Sequence, residues 1–274
     1  MNSGNPTLRA GVFDKPVNAP RWDDLTTAKS GTMTVQGTAI KAGVLLAICV
    51  ASACFAWAKF EPMYQAGNMG GMMPWVFGGA IGGLVLALIV SFKPTTAPYL
   101  APIYAATQGI FIAGISLVLV AQTASRASPG GAASALNVGM IFQAASLTFG
   151  IAGAALLAYA TGFIRMSPAV MKMVVIATGG LAVYAVALML LNGVFKLGLP
   201  NLWSSASPLG IGFSLFVIVL ASFNLVMDYQ VIDEGVKAGA PKYMEWYGAF
   251  ALTVTLVWLY IEILRLLSKL NRRD

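Results

Sequence analysis

Residues 208–232 read PLGIGFSLFVIVLASFNLVMDYQVI, an apolar run in which Asp228 is the only charged side chain. About 20 consecutive apolar residues are enough for a helix to cross the hydrocarbon of a bilayer. Pro208 stands at the start of the run, where a helix loses least from a missing backbone N–H. We therefore predict a membrane-spanning helix over this stretch, with a carboxylate inside it.

Six other stretches have the same character, and short connections separate them. With 208–232, the predicted spans cover about 40–59, 74–92, 98–121, 136–160, 168–192, 208–232 and 244–267. Hydrophobic residues make up 58% of the 274 residues and charged residues 10%, against roughly 25% charged in soluble domains. The mean hydropathy is +0.78. These polar side chains are too few to cover a water-facing surface. We therefore predict an all-α, polytopic membrane bundle of seven transmembrane helices.

The polar ends divide the chain into three parts. Residues 1–37 contain prolines and mixed charge but no apolar core, so we predict a flexible tail that is neither a signal peptide nor a transit sequence. The transmembrane domain is expected over 38–270, and a short basic tail over 271–274. Within the second span, residues 77–83 (FGGAIGG) hold two overlapping GxxxG spacings. These spacings are typical of close helix packing, either inside one bundle or at a dimer seam.

Basic residues near the ends of the spans predict the orientation. The 17 Lys and Arg exceed the 10 Asp and Glu, and ten of these basic residues fall on the N-terminal side of the bundle against seven on the other. Cytoplasmic loops carry an excess of Lys and Arg, so we expect a cytoplasmic N-terminus and no nucleic-acid partner. Seven spans from a cytoplasmic N-terminus place the C-terminus on the other side of the membrane, whereas the basic C-terminal tail favours a cytoplasmic C-terminus. Six spans with a re-entrant last segment therefore remain the alternative.

The chain contains no histidine. This excludes an imidazole metal site, a histidine-activated nucleophile and a histidine pH switch. The sequence also lacks a phosphate-binding loop, a dinucleotide fingerprint and a nucleophile elbow. We therefore predict that the protein is not an enzyme and holds no resident metal or cofactor. Any proton-linked behaviour must use carboxylates.

Half of the ten acidic residues lie in the last two spans and their connection: Asp228, Asp233, Glu234, Glu245 and Glu262. An ionisable group within a span costs roughly 2.5–3.5 kcal/mol on insertion scales and is a functional candidate by default. Lys172, one turn into the fifth span, is another. Asp228 ends a stripe of small and polar residues on one helix face, formed by Ser214, Val217, Ala221, Asn224 and Asp228. Such a face suits either a watered path or a tight helix contact.

Counting residues from the ends of the last hairpin predicts a partner for Asp228. If the sixth helix ends near Glu234 and the seventh begins at Pro241, then at 1.5 Å per residue Asp228 lies roughly 9 Å and Glu245 roughly 6 Å from the connection, which is a similar depth. Two close carboxylates can share one proton and, once ionised, suit Ca²⁺. The alternative is that both are solvated and paired with basic residues: Lys237, Lys242, Arg165 or Lys172. Glu262 is too far along the helix to join Glu245, and its neighbour Arg265 offers a salt bridge.

Several stretches resemble a known family. They are 227–233 (MDYQVID), 240–247 (APKYMEWY), 258–267 (WLYIEILRLL), 33–37 (MTVQG) and 41–43 (KAG). They are similar to a bacterial branch of the Bax inhibitor-like (YccA-like, transmembrane Bax-inhibitor-motif) membrane proteins, over roughly residues 33–270. The resemblance implies a seven-helix bundle with the last helix central. It also implies a pH-sensitive cation leak, notably of Ca²⁺, sensed by an acid pair with one acid on each of the last two helices.

Asp228 matches the first acid of that implied pair. For the second, we prefer Glu245 on hairpin depth and keep Glu262, whose surroundings read LYIE, as the alternative. Asn224, Asp233 and Lys172 are expected to support the site.

We therefore expect a multi-pass protein of the bacterial inner membrane whose partners are the lipid bilayer and cations, with Ca²⁺ bound only transiently. A second hypothesis is a non-conducting regulator that binds a membrane protease or another membrane protein of a stress complex. Cation flux in liposomes would favour the first, and co-purification with a partner in the absence of flux would favour the second.

Overall fold

The computed structural model describes residues 31–127, 136–193, 195–199 and 201–272. The described residues form seven long helices: α1 (Val35–Gln65), α2 (Met69–Phe92), α3 (Ala97–Ala127), α4 (Val138–Ala160), α5 (Pro168–Gly193), α6 (Pro208–Lys237) and α7 (Met244–Leu270). A turn of 3-10 helix, Pro94–Thr96, leads into α3. All seven are long and apolar enough to cross a membrane, which confirms the predicted all-α bundle. The last helix is continuous over 27 residues, which favours seven spans over the re-entrant alternative.

Local signals set several helix boundaries. The side chains of Thr34, Asn68 and Ser207 accept hydrogen bonds from the first turns of α1, α2 and α6. These caps satisfy backbone N–H groups that have no partner inside the helix. Gly239, with a φ of 69°, follows the end of α6 in the left-handed conformation that glycine adopts without strain. The first span thus begins at Val35 and the sixth ends at Lys237, each about five residues beyond the limit that hydropathy indicates.

The last helix is at the centre of the bundle. α7 contacts α1, α3, α4 and α6. In its most apolar window 61% of the residues are buried, against 11% for α5, which packs mainly on α6. These contacts confirm the central position of the last helix. They also leave most of α5 facing the lipid.

The two GxxxG spacings of α2 point in different directions. Gly79 and Gly83 face α3, and a Cβ on Gly79 would lie 2.9 Å from the carbonyl oxygen of Thr107. Gly78 and Gly82 have open space where a Cβ would be. One spacing therefore lets α2 and α3 approach closely inside the bundle, while the other lies on the outer surface of α2.

Because successive spans reverse direction, the helix ends lie on two faces. The N-terminal face carries the start of α1, the ends of α2, α4 and α6, and the starts of α3, α5 and α7. On this face residues 31–34, the N-terminal segment, pair with the α6–α7 connection. The Met33 N–H donates to the Ala240 carbonyl at 2.7 Å, and the Lys242 N–H donates to the Gly31 carbonyl at 3.0 Å.

The predicted flexible tail is therefore only partly covered by the structure. Residues 1–30, and residues 273–274 of the basic C-terminal tail, lie outside the described residues. The described remainder of the N-terminal tail, 31–37, contacts the hairpin and enters the first turn of α1.

Candidate functional site

Asp228 lies on the side of α6 that faces α7. The Thr255 hydroxyl donates a hydrogen bond to the Asp228 carboxylate at 2.6 Å. Among the described residues no Lys or Arg forms a salt bridge with Asp228. Nine residues separate Asp228 from the end of α6, which is about 14 Å along the helix axis. A carboxylate at membrane depth is thus held by a neutral partner.

Glu245 lies in the first turn of α7 and is completely buried. One carboxylate oxygen accepts from both the backbone N–H and the hydroxyl of Thr34, at 2.9 and 2.8 Å. Lys242 forms a salt bridge with the same oxygen at 2.9 Å, and Lys41 of α1 forms one with the other oxygen. We call this group, Thr34, Lys41, Lys242 and Glu245, the Glu245 latch. It joins α1, the α6–α7 connection and α7.

The structure does not bring Asp228 and Glu245 together. The partner of Asp228 on α7, Thr255, lies ten residues after Glu245, which is about 15 Å along the helix. This corrects the hairpin count, because α6 continues to Lys237 and α7 begins only at Met244. Glu245 consequently lies at the N-terminal face, where it pairs with lysines, and Asp228 lies deeper.

Glu262 belongs to a second buried group, near the opposite face. It forms the predicted salt bridge with Arg265, at 2.5 Å, and accepts a hydrogen bond from the Ser214 hydroxyl at 3.1 Å. The Lys269 ammonium donates to the same hydroxyl at 2.8 Å and to the Gly210 carbonyl at 2.7 Å. We call Ser214, Glu262, Arg265 and Lys269 the Glu262 cluster. It lies about 10 Å beyond Thr255, so Glu262 does not reach Asp228 either.

From the sequence, Lys269 was counted only among the seven basic residues on the opposite side of the bundle. Its side chain is completely buried and also donates to the Leu202 carbonyl in the α5–α6 connection, at 2.9 Å. The spacing from Glu262 is seven residues, or two helical turns, which places both on one face. That spacing was the available signal.

The remaining predicted site residues lie elsewhere. The Asn224 side-chain amide donates to the Thr178 hydroxyl of α5 at 2.8 Å, and Lys172 is exposed on α5. Ser214, Val217 and Ala221, the first half of the predicted stripe, are completely buried. That half of the stripe is a packed helix contact rather than an open lining.

Asp233 faces α4 instead of α7. Its carboxylate accepts from the Tyr159 hydroxyl and pairs with Lys237, both at 2.7 Å. These residues line a pocket of about 110 Å³ at the N-terminal face, together with Arg165, Gln230 and Glu234. The pocket lies on a different side of α6 from Asp228, because five residues correspond to about 140° of rotation.

Replacing Gly37 by alanine is expected to disturb the Glu245 latch. A Cβ on Gly37 would overlap the Glu245 carboxylate, whereas a Cβ on Gly43 of the same helix meets nothing. We expect Gly37→Ala to lower the free energy of unfolding by about 1–3 kcal/mol, the usual cost of overpacking. Gly43→Ala should be neutral or stabilising by up to about 1 kcal/mol. Thermal unfolding in detergent micelles measures both, and equal effects would contradict the close contact.

Comparison with known protein families gives a match over nearly the whole chain. A family model described as Bax inhibitor 1 like matches residues 6–272 of the chain. No curated protein and no solved structure matches it. The match covers nearly the whole length, including all seven spans and both buried charge groups. This integral membrane protein therefore belongs to the Bax inhibitor 1 like family.

Proposed function

We propose that the protein is a pH-sensitive cation leak of the bacterial inner membrane, with Ca²⁺ as the favoured ion and a cytoplasmic N-terminal face. The observation that supports it is the Asp228 carboxylate, which lies at membrane depth with the Thr255 hydroxyl as its partner. Acidic residues inside spans are rare, and they usually pair with basic groups or mark a path for ions or protons. Glu245 and Glu262 pair with basic groups, whereas Asp228 has no basic partner in the part of the chain that the structure describes.

The two charge states of Asp228 have opposite effects on a cation. The protonated acid is neutral and attracts no ion. The ionised carboxylate, beside the Thr255 hydroxyl, offers hard oxygen ligands of the kind that Ca²⁺ prefers, to which water and backbone carbonyls add. Flux should therefore rise as the pH rises and Asp228 loses its proton. In this proposal a carboxylate and a hydroxyl take the place of the two-acid pair.

The polar groups on α7 occur at three levels. The Glu245 latch lies near one face, Thr255 with Asp228 lies in between, and the Glu262 cluster lies near the other face. A cation that crosses the bundle beside α7 would meet an attractive carboxylate only at the middle level, since the outer two carboxylates already hold cationic side chains.

Ca²⁺ flux into liposomes, measured against pH, tests the proposal. A unit charge about 4 Å from a cation contributes roughly 4 kcal/mol at an effective dielectric constant of about 20, so Asp228→Asn should lower flux by at least about tenfold. The residual flux should no longer depend on pH. Glu61→Gln is the matched control, because among the described residues the Glu61 carboxylate accepts hydrogen bonds from Trp57 and Gln65 of its own helix and forms no salt bridge. Wild-type flux and pH dependence in Asp228→Asn would sink the proposal.

Wild-type protein that gives no flux above empty liposomes would also overturn the leak. Co-purification of a membrane protease or another membrane protein would then favour the non-conducting regulator.

A further inference from the structure

Met33 of the N-terminal segment is buried between α6 and α7. Its side chain is 4% exposed. A Cβ on Gly235 of α6 would lie 3.5 Å from the Met33 sulfur, and a Cβ on Gly248 of α7 would lie 3.4 Å from the Met33 methyl carbon. The two helices therefore present glycines where Met33 enters, and the absence of side chains at both positions leaves room for it.

The crevice that Met33 fills lies between Asp228 and the N-terminal face. The same Gly248 Cβ would lie 3.1 Å from Cγ1 of Ile232, so Ile232 lies next to Met33. Ile232 is one helical turn from Asp228 and on the same face of α6. Gly235, beside Met33, is seven residues from Asp228, or about 10 Å. Met33 and then Ile232 thus separate the Asp228 carboxylate from the N-terminal face.

The Glu245 latch holds the N-terminal segment in this position. Thr34 follows Met33 directly and donates two hydrogen bonds to Glu245. The charged groups that face Glu245 are Lys41 from α1 and Lys242 from the connection. Together with the two backbone bonds to Ala240 and from Lys242, these contacts fix residues 31–34 against the hairpin without involving the packing of α6 on α7.

We propose that the N-terminal segment is a plug that closes the N-terminal end of the Asp228 pathway, and that the Glu245 latch holds it closed. This inference rests on the proposed cation path. Opening requires residues 31–34 to leave the hairpin, so that the Ile232 side chain can turn into the crevice that Met33 vacates, while α6 and α7 stay packed. The plug therefore regulates access to the carboxylate instead of the affinity of the carboxylate for its ion.

A disulfide across the plug tests the proposal. Thr32 and Pro241 form an antiparallel bridge flanked by the two backbone hydrogen bonds, which makes them a non-hydrogen-bonded pair. The Cα atoms of such a pair are about 4.5 Å apart, within the range that a disulfide spans. Thr32→Cys and Pro241→Cys are combined, with Cys49→Ala and Cys54→Ala removing the native thiols. We expect reduction to raise Ca²⁺ flux by about tenfold in the same vesicles, and equal flux in both states would overturn the plug.

A second measurement does not depend on conduction. Asp228→Cys, in the same background without native cysteines, is labelled with a hydrophilic thiol reagent in detergent micelles. Met33→Ala empties the crevice and should speed labelling by about tenfold. Ile40→Ala, which changes a side chain 60% exposed on α1, should leave the rate unchanged.

The two measurements separate the plug from the leak. Unchanged labelling in Met33→Ala overturns the plug, even if flux depends on Asp228. Faster labelling without any Asp228-dependent flux supports the plug and overturns the proposed leak.

Discussion

Glu262→Ala is expected to destabilise the protein by about 3–5 kcal/mol, the usual cost of removing one partner of a buried ion pair. Glu262 is the acid that faces Arg265, and Lys269 shares the Ser214 hydroxyl with it. Without the carboxylate, two cationic side chains remain in the bundle near the opposite face with no acid beside them among the described residues. Thermal or denaturant unfolding in detergent micelles measures the loss.

The double variant Glu262→Leu with Arg265→Leu separates the charge from the packing. Replacing a buried ion pair by apolar residues of similar volume is often neutral or stabilising. Of the two cations, the double variant leaves only Lys269, which keeps its bonds to the Gly210, Leu202 and Ser214 oxygens. The double variant should therefore recover most of the stability that Glu262→Ala loses. Glu61→Ala is the control for loss of an acid from a long helix, and we expect a change of about 1 kcal/mol, the usual contribution of a hydrogen bond, at this half-buried position. A double variant as unstable as Glu262→Ala would contradict the role of the uncompensated charge.

Glu245→Ala is expected to cost about 1.5–3 kcal/mol, the usual contribution of hydrogen bonds to a charged group, because the Lys242 side chain that it leaves behind is 49% exposed. The substitution leaves Lys41 and Lys242 without their acid and removes the acceptor of two Thr34 hydrogen bonds. Because Glu245 is completely buried, water does not replace the lost acceptor without rearrangement of the N-terminal segment. Unfolding in detergent micelles measures the effect, as for Glu262.

Glu245→Gln separates the two parts of the latch. The amide oxygen can still accept from Thr34, but it carries no charge for the lysines. We expect Glu245→Gln to lower the free energy of unfolding, but by less than Glu245→Ala does. Hydrogen bonds to a charged group contribute about 1.5–3 kcal/mol, against about 1 kcal/mol for neutral ones. A Glu245→Ala variant within about 0.5 kcal/mol of the wild type would contradict the latch.

The two outer charge groups and Asp228 differ in how their charge is balanced. Glu245 and Glu262 have basic partners on neighbouring turns or helices, and both are expected to stabilise the fold. The partner of Asp228 is the neutral Thr255 hydroxyl, so the ionised form of Asp228 lacks a local counter-charge among the described residues. Stability measurements therefore address the ends of α7, and flux measurements address its middle.

Three features followed from the sequence: the seven spans, the salt bridge of Glu262, and the presence of an acid inside a span. Each depends on residues close together in the chain. Hydropathy over about 20 residues decides whether a helix can cross a bilayer, and an i+3 spacing on a helix brings two side chains together whatever surrounds them. The family resemblance around residues 227–267 is likewise local, and the match over residues 6–272 confirms it.

The partners of the carboxylates were decided only by the tertiary structure. Asp228 meets Thr255, 27 residues away, and Glu245 meets Thr34, 211 residues away. Hydropathy locates helix ends only to within a few residues, and each residue of error shifts the depth of a side chain by about 1.5 Å and turns it by about 100°. In the hairpin count α6 ends near Glu234 and α7 begins at Pro241, whereas in the structure each of these ends lies three residues later, at Lys237 and Met244. These shifts were enough to separate Asp228 from Glu245. Sequence could therefore identify the acids, and the packing of α1, α6 and α7 determined which groups they contact.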